Sequence, residues 1–408
     1  MFEDAEAVTL GDILEQEWVA TAFQPLVSIK RKALLGVEAL ARCIAPGEDI
    51  PPLEMFRMAE AQGRLLELDR LCRKKALEAF APIHAQNRGL IVSLNVDGHA
   101  IDNEVARSGN LMGLVKSLGI SPNNVLIEIV ESRAKDTKAL EEFVSTYRKN
   151  GFLIALDDLG AGHSNLDRIA LLKPDVLKLD RSLVAGVDAH MTKLEVVKSF
   201  VQMASRLGAL ALAEGVERQE DILRLLEVGL DVFQGFYFGR PAMRMPKAET
   251  VAERIDYLAA KFRDSATERF AAQKELFARH DALVLSLCQR LAGVGTTGMD
   301  RLLTGFIDEF ENIECLYVLS ASGIQLTETV CNPVKLRKRK RFIYEPARLG
   351  ADHSLKEYFL PLRAGLSKFT TQPYISLASG NRCITISALC QDKSGRACIL
   401  CADIDHRD

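Results

Sequence analysis

Between about residues 18 and 240, short apolar, β-prone runs alternate with polar, helix-prone stretches. The runs read GLIVSLNV, NVLIEIV, FLIALDD, DVLKLD, LALAEGV and VFQGFYF, separated by stretches such as Thr137 to Lys149 and Lys193 to Leu207. Strand followed by helix, repeated, implies parallel strands. At least six such runs, several apolar on both faces, fit an α/β fold of the (β/α)8 barrel type in length and period, with a doubly wound open sheet as the competing arrangement. From Pro246 to Gly293 the pattern changes: 46 residues pass without Gly or Pro. Apolar side chains recur three or four apart there, at Ile255, Leu258, Phe262, Ala266 and Phe270, then at Phe277, Val284 and Leu287. That spacing predicts a long helix over 246–292, about 70 Å at 1.5 Å per residue if unbroken, with Asp264-Ser265 able to cap a break. Beyond Gly293 a helix, Met299 to Phe310, precedes the strand-like runs ECLYVLS, CITISAL and ACILCADI, which read as a small α+β domain. The expected division is therefore a barrel over 1–245, a helical connector over 246–292 and a second domain over 293–408.

Composition narrows the function classes. The chain has 408 residues, of which 48% are hydrophobic and 26% charged, values of a globular protein rather than a disordered one. The acidic N-terminus carries no basic segment followed by an apolar stretch, and no run reaches the length of a membrane span, so secretion and membrane insertion are not expected. A net charge of -3 supplies no general positive field, so DNA is not an expected partner and any phosphate is recognised locally. Nine cysteines without a leader argue for reduced thiols in a cytoplasm. Cys398 and Cys401, three apart in a strand-like run, point to opposite faces and read as buried thiols rather than a metal pair. The six cations among Lys335 and Arg337 to Arg341 read as a solvated loop.

The candidate chemistry lies at the ends of the barrel runs, where Glu38, Asn95, Glu128, Asp157, Asp158 and Glu214 occur. Taken singly, an acidic residue at a strand end is ordinarily a cap or a surface group. In a barrel, however, all C-terminal strand ends face one mouth, so distant residues converge. Two carboxylates about 4 Å apart repel by about 4 kcal/mol at an effective dielectric of 20, so a cluster must take up protons or hold cations. Oxygen donors without His or Cys pairs favour Mg²⁺ or Mn²⁺ over Zn²⁺. Neighbouring Asp157 and Asp158 can both reach one site only where the strand ends, and Leu159-Gly160-Ala161-Gly162 is expected to end it. One of the pair can then bridge two ions, an arrangement suited to displacement at phosphorus. The same glycines mimic a dinucleotide fingerprint, but Asn165 stands at the third glycine position and the Asp pair would repel a pyrophosphate.

The motif Glu38-Ala39-Leu40-Ala41-Arg42 resembles the one that names the EAL family of cyclic-di-GMP phosphodiesterases. The family's other segments follow in order: Phe23-Gln24-Pro25, Leu94-Asn95-Val96, Glu128-Ile129-Val130-Glu131, Asp157-Asp158-Leu159-Gly160, Asp175 to Arg181, Ala213-Glu214-Gly215 and Gln234-Gly235-Phe236. The resemblance covers about residues 15 to 245 and implies a TIM-like barrel that hydrolyses cyclic-di-GMP to linear pGpG with two Mg²⁺ or Mn²⁺ ions. It implies that Glu38, Asn95, Glu128 and Asp157 hold the first metal, with Asp157 bridging to a second on Asp158 ordered by Glu214. Lys178 and Gln234 would position the attacking water, and Glu131 would anchor the loop after Asp158. Arg42 would grip a substrate phosphate beside Leu40, and Gln24 would touch a guanine edge. The loop departs from the family's usual wording at Leu159, Ala161, His163 and Asn165, which bears on turnover more than on ligand identity, and His163 reads as a packing residue.

The C-terminal part resembles, less specifically, PAS-like PDC (Cache) sensor domains, through Asp352 to Phe359, Gln372 to Ser376 and Ala402-Asp403-Ile404. Such a domain would bind an unknown small ligand and regulate the barrel. The expected assembly is a homodimer. The alternative is a catalytically weak or inactive EAL domain that acts as a cyclic-di-GMP receptor or protein-interaction module. Such domains typically lose metal ligands or the loop glutamate, whereas Glu38, Asp157, Asp158 and Glu131 are present here.

Overall fold

A computed structural model describes residues 8–96, 110–130, 136–161, 166–245, 247–310, 312–335 and 345–406. The chain divides into two compact units, 1–267 and 268–408. In the first, eight strands close into a barrel in sequence order. They are β1 (Val19–Ser28), β2 (Ala33–Cys43), β3 (Ile91–Val96), β4 (Val125–Val130), β5 (Leu153–Leu159), β6 (Val176–Leu179), β7 (Leu210–Ala213) and β8 (Val232–Gln234). All six apolar runs are strands. The pairs from β2 to β8 are parallel, but β1 is antiparallel to both β2 and β8, which corrects the expectation of parallel strands throughout. The reason is the connection. Only Ile29 to Lys32 separate β1 from β2, too few for a crossover, and Lys32 takes a left-handed φ of 53° to close the hairpin.

Inside the barrel, side chains stack in layers set by the period of two. Leu126, Ala155, Val176, Leu212 and Val232 form a buried apolar plug. Two residues further along the same strands, hence on the same face, come Glu128, Asp157, Lys178, Glu214 and Gln234. The plug thus closes the floor beneath a polar layer at the mouth. Outward-facing residues such as Val92, Ile127, Ile154, Leu177 and Phe233 pack under the surrounding helices.

A single helix, Ala248–Leu291, follows, with no break at Asp264-Ser265. Its early residues Val251, Ile255 and Leu258 are buried in the first unit's core, and its late residues Leu283, Val284, Leu287 and Leu291 in the second's. Phe270 and Phe277 between them are 70% and 49% exposed. Among its described residues the second unit adds the helices Thr296–Glu309 and Leu360–Arg363 and six strands: β9 (Ile313–Ser320), β10 (Val330–Cys331), β11 (Lys368–Thr370), β12 (Tyr374–Ile375), β13 (Arg382–Gln391) and β14 (Ala397–Asp405). These form an antiparallel sheet in the order β10-β9-β14-β13-β11, with β12 beside β13. Cys398 and Cys401 of β14 pack into different hydrophobic clusters, as residues three apart on a strand must. Of the basic run only Lys335 is described, 3.2 Å from Asp405. No helix among the described residues is long and apolar enough to cross a membrane.

Candidate active site

The mouth of the barrel gathers the polar layer around one ammonium group. Lys178 Nζ lies 2.7 Å from Glu128 Oε1, 2.5 Å from Glu214 Oε1, 3.3 Å from Asp157 Oδ1 and 4.0 Å from Glu38 Oε1. The lysine is 1% exposed and Glu128 is fully buried. Burial opposes the charge on Lys178, but the four carboxylates outweigh it and hold the ammonium well above its ordinary pKa. Burial and the neighbouring charge of Glu38 push Glu128 well above the usual carboxylate range. Glu214 is pushed up to about 8, first by burial and then by Asp157 and Glu38. Glu38 is also buried, yet it is held below its ordinary value by the charge of Lys178 and by hydrogen bonds, including those from Gln234 and Asn95.

Each side chain has a positional cause. Asn95 Nδ2 donates to Glu38 Oε1 at 2.8 Å between adjacent strands; Asn95 is next to last in β3, whereas Glu38 stands in the middle of the long hairpin strand β2 and not at its end as expected. Gln234 donates to Glu38 Oε2 and, at 3.0 Å, to Gln24 Oε1, while Gln24 Nε2 donates to the carbonyl of Gly239. Glu214 follows β7, its backbone N–H held by the carbonyl of Leu179. Asp157 and Asp158 share the site through a different device from the expected strand end. Pairing of β5 with β6 shifts between Leu156 and Leu159, so a bulge falls on the Asp pair, and Asp158 takes a left-handed φ of 58° while the strand continues to Leu159. The extra residue re-aims both carboxylates to one side. Such backbone is costly for a non-glycine residue and persists where the surrounding structure imposes it. As a result, single carboxylate oxygens of Asp157, Asp158 and Glu214 lie within 4.8 Å of one another.

These donors fit hard divalent cations. The set is all oxygen, it is too acidic for its burial, and Glu128 Oε2 is buried with no hydrogen-bond partner among the described residues. Lys178 supplies a single positive charge among four carboxylates, which leaves the cluster anionic or partly protonated.

Beside the carboxylates opens a cavity of about 390 Å³, whose wall includes Leu40, Arg42, Asn95, Asp157 and Asp158. Arg42 Nη1 donates to the carbonyl of Ala41. Gln24 faces Gln234 instead of this wall. Glu131, His163 and Asn165 lie outside the described residues; Leu159 is buried and Ala161 exposed. Sequence reasoning missed Ser93, which is fully buried and donates to Glu128 Oε1 at 2.5 Å. Its signal was its place two before Asn95 on the inward face of β3. Also missed was Arg73, buried on the cavity wall 2.7 Å from Asp69; the pair stands i,i+4 on the helix Leu65–Gln86.

The class defined by this fold and mouth is an acidic-mouthed barrel, and the EAL domain family model matches residues 7–241. The chain belongs to the EAL-domain family. It is 29% identical over 59% of its length to the cyclic di-GMP phosphodiesterase RocR of Pseudomonas aeruginosa, of which the match covers 62%, less than two thirds of that relative. It superposes on the crystal structure of the Bacillus subtilis YkuI protein, an EAL-domain protein in complex with the substrate c-di-GMP and calcium, with a TM-score of 0.81. That likeness covers 98% of this chain and 100% of that one at 23% identity, and it concerns the fold. A manganese and cyclic-di-GMP complex of Klebsiella pneumoniae BlrP1 matches 55% of this chain and 56% of its own at 30% identity, with a TM-score of 0.51.

Proposed function

We propose that the chain is a phosphodiesterase that hydrolyses cyclic-di-GMP to linear pGpG with two Mg²⁺ or Mn²⁺ ions. The observation that carries this reading is the convergence of Asp157, Asp158 and Glu214 within 4.8 Å, at a mouth that also holds Glu38, Asn95 and Glu128. Glu38, Asn95, Glu128 and Asp157 would hold one ion, and Asp157 and Asp158, ordered by Glu214, the other. When bound, the ions supply charge neutralisation at phosphorus and make water a better nucleophile at neutral pH. The chain's own groups do the rest. Arg42 binds a phosphate in two-pronged fashion, and Leu40 packs beside it. Gln24 uses two of its four hydrogen-bonding positions on Gln234 and Gly239, leaving one donor and one acceptor for a guanine edge. Lys178 and Gln234 orient the water, and Lys178 opposes the negative charge that grows on the phosphoryl oxygens. Hydrolysis places the hydroxyl on phosphorus and the proton on the departing 3′ oxygen. Glu131 would anchor the loop after Asp158.

The reading extends to a barrel over 1–245, a connector over 246–292 and a PAS-like sensor domain over 293–408 that regulates turnover. The six-stranded antiparallel sheet of the second unit supports the last assignment, and the exposed Phe270 and Phe277 support a homodimer. The test is to incubate purified protein with cyclic-di-GMP and Mg²⁺ or Mn²⁺ and follow pGpG by chromatography. Product that disappears in chelator supports the reading. Binding without product identifies a receptor and overturns it.

A further inference from the structure

The second unit contains a cavity of about 480 Å³, within the size range of small-molecule sites. On its wall lies Asp403 of β14, 3% exposed, facing three tyrosine rings, Tyr317, Tyr358 and Tyr374, and no described lysine or arginine forms an ion pair with it. The carboxylate is instead held by hydroxyls. Tyr374 donates to Thr385 Oγ1, Thr385 donates to Asp403 Oδ1 at 2.7 Å, and Ser376 approaches Oδ2 at 3.4 Å. That relay fixes the group's orientation without neutralising it. The other ionisable neighbours make the deficit of positive charge worse. Glu314 of β9 is buried near Asp403, and Cys383 of β13 and Cys401 of β14 bring no cation. His353 contributes none either, because burial lowers its pKa and its Nδ1 is tied to the hydroxyl of Tyr358 at 2.7 Å.

The rim carries the same sign. Among the described residues of the cavity wall, carboxylates outnumber lysines four to one, Glu345, Asp352, Glu357 and Asp403 against Lys356. An anionic ligand would meet net repulsion from these groups, and an apolar one would bury Asp403 with its hydroxyl partners but without a counter-charge, which is unfavourable. A cation resolves both, and aromatic faces around a carboxylate are the ordinary way to desolvate and hold an ammonium group. We propose that this cavity binds a small organic ammonium ion, with Asp403 as counter-charge and Tyr317, Tyr358 and Tyr374 as aromatic walls. The proposal does not depend on the barrel's activity.

The test uses the full chain in isothermal titration calorimetry with three probes, tetramethylammonium, choline and putrescine chlorides, and with 3,3-dimethyl-1-butanol as the neutral isostere of choline. At least one cation is expected to bind at one site per chain, and the neutral isostere about tenfold more weakly than choline or not at all. Asp403→Asn, which keeps the shape and most of the hydroxyl relay, should lower cation affinity about tenfold or more. Tyr374→Leu, at a half-buried ring that is easier to replace, should lower it about three- to tenfold. Near-ultraviolet circular dichroism and the denaturant-unfolding transition of each variant report that the second unit is folded. The proposal is overturned if none of the three cations binds, if the neutral isostere binds as well as choline, or if the folded variants bind the cations as tightly as the parent.

Discussion

Lys178 is surrounded by four carboxylates and stays charged because they outweigh its burial. It therefore differs in kind from Arg42, whose guanidinium lies on the open cavity wall. Arg42→Ala should raise KM about 10- to 100-fold with kcat little changed, since its contact exists in both ground and transition states. Lys178→Ala should mainly lower kcat, about 100-fold or more, with KM nearly constant. Steady-state kinetics on the two variants decide this, and equal effects on both parameters would refute the division of roles. A second residue-scale expectation concerns Asp403, pushed up to about 7 by burial with a contribution from Glu314. A carboxyl whose folded pKa is raised favours the folded state below its unfolded value and loses that contribution as pH rises through the folded one. Between pH 5.5 and 8 the second unit should lose about 2 kcal/mol from this group, at 1.36 kcal/mol per unit. Asp403→Asn should flatten that slope in denaturant unfolding followed at several pH values; an unchanged slope would rule the group out.

At the scale of elements, the strand ends are where sequence reading both succeeded and stopped. Glu128, Asp157 and Glu214 were legible as acidic residues closing apolar runs, whereas Lys178 and Gln234 came only from the family resemblance; in the structure all five stand two residues after an inward apolar residue, so a period of two puts them on one face. The hairpin of β1 and β2 was not legible from periodicity, since neither strand alternates cleanly with a helix and the turn from Ile29 to Lys32 has no glycine to mark it. The bulge at Asp157-Asp158 was hidden for a similar reason: left-handed φ is usually a glycine signature, and here an aspartate adopts it. Ser93 was missed because a lone serine in an apolar run looks like ordinary strand filler. One glycine shows how closely the elements fit at the site. A Cβ on Gly235 would stand 2.1 Å from the carbonyl oxygen of Val216, and that segment's N–H holds the carbonyl of Gln234 at 3.1 Å. Gly235→Ala should therefore displace the end of β8, costing about 1–3 kcal/mol in denaturant unfolding and moving Gln234 enough to lower kcat. A variant as stable and active as the parent would show that the close approach has no role in placing Gln234.

At the scale of the molecule, the helix Ala248–Leu291 contributes its two ends to two separate hydrophobic cores, while its middle is exposed. Two glycines inserted after Arg263 fall between those ends and should leave both cores intact, because each costs only about 1 kcal/mol in a helix. If the second unit regulates the barrel, the insertion should change specific activity by about 5- to 150-fold, the usual size of coupling between sites. Unchanged activity would make the second unit a passenger. The central claim is that the acidic mouth exists to hold divalent ions for phosphodiester hydrolysis. The most direct measurement is a metal titration of chelator-treated protein, with bound Mn²⁺ counted by equilibrium dialysis and pGpG formation assayed in the same samples. Two ions per chain are expected, with turnover that rises only as they bind, no turnover for Glu38→Ala, and substrate binding without turnover in Ca²⁺, whose longer bonds suit the site poorly. Full hydrolysis of cyclic-di-GMP by the chelated protein would contradict the claim.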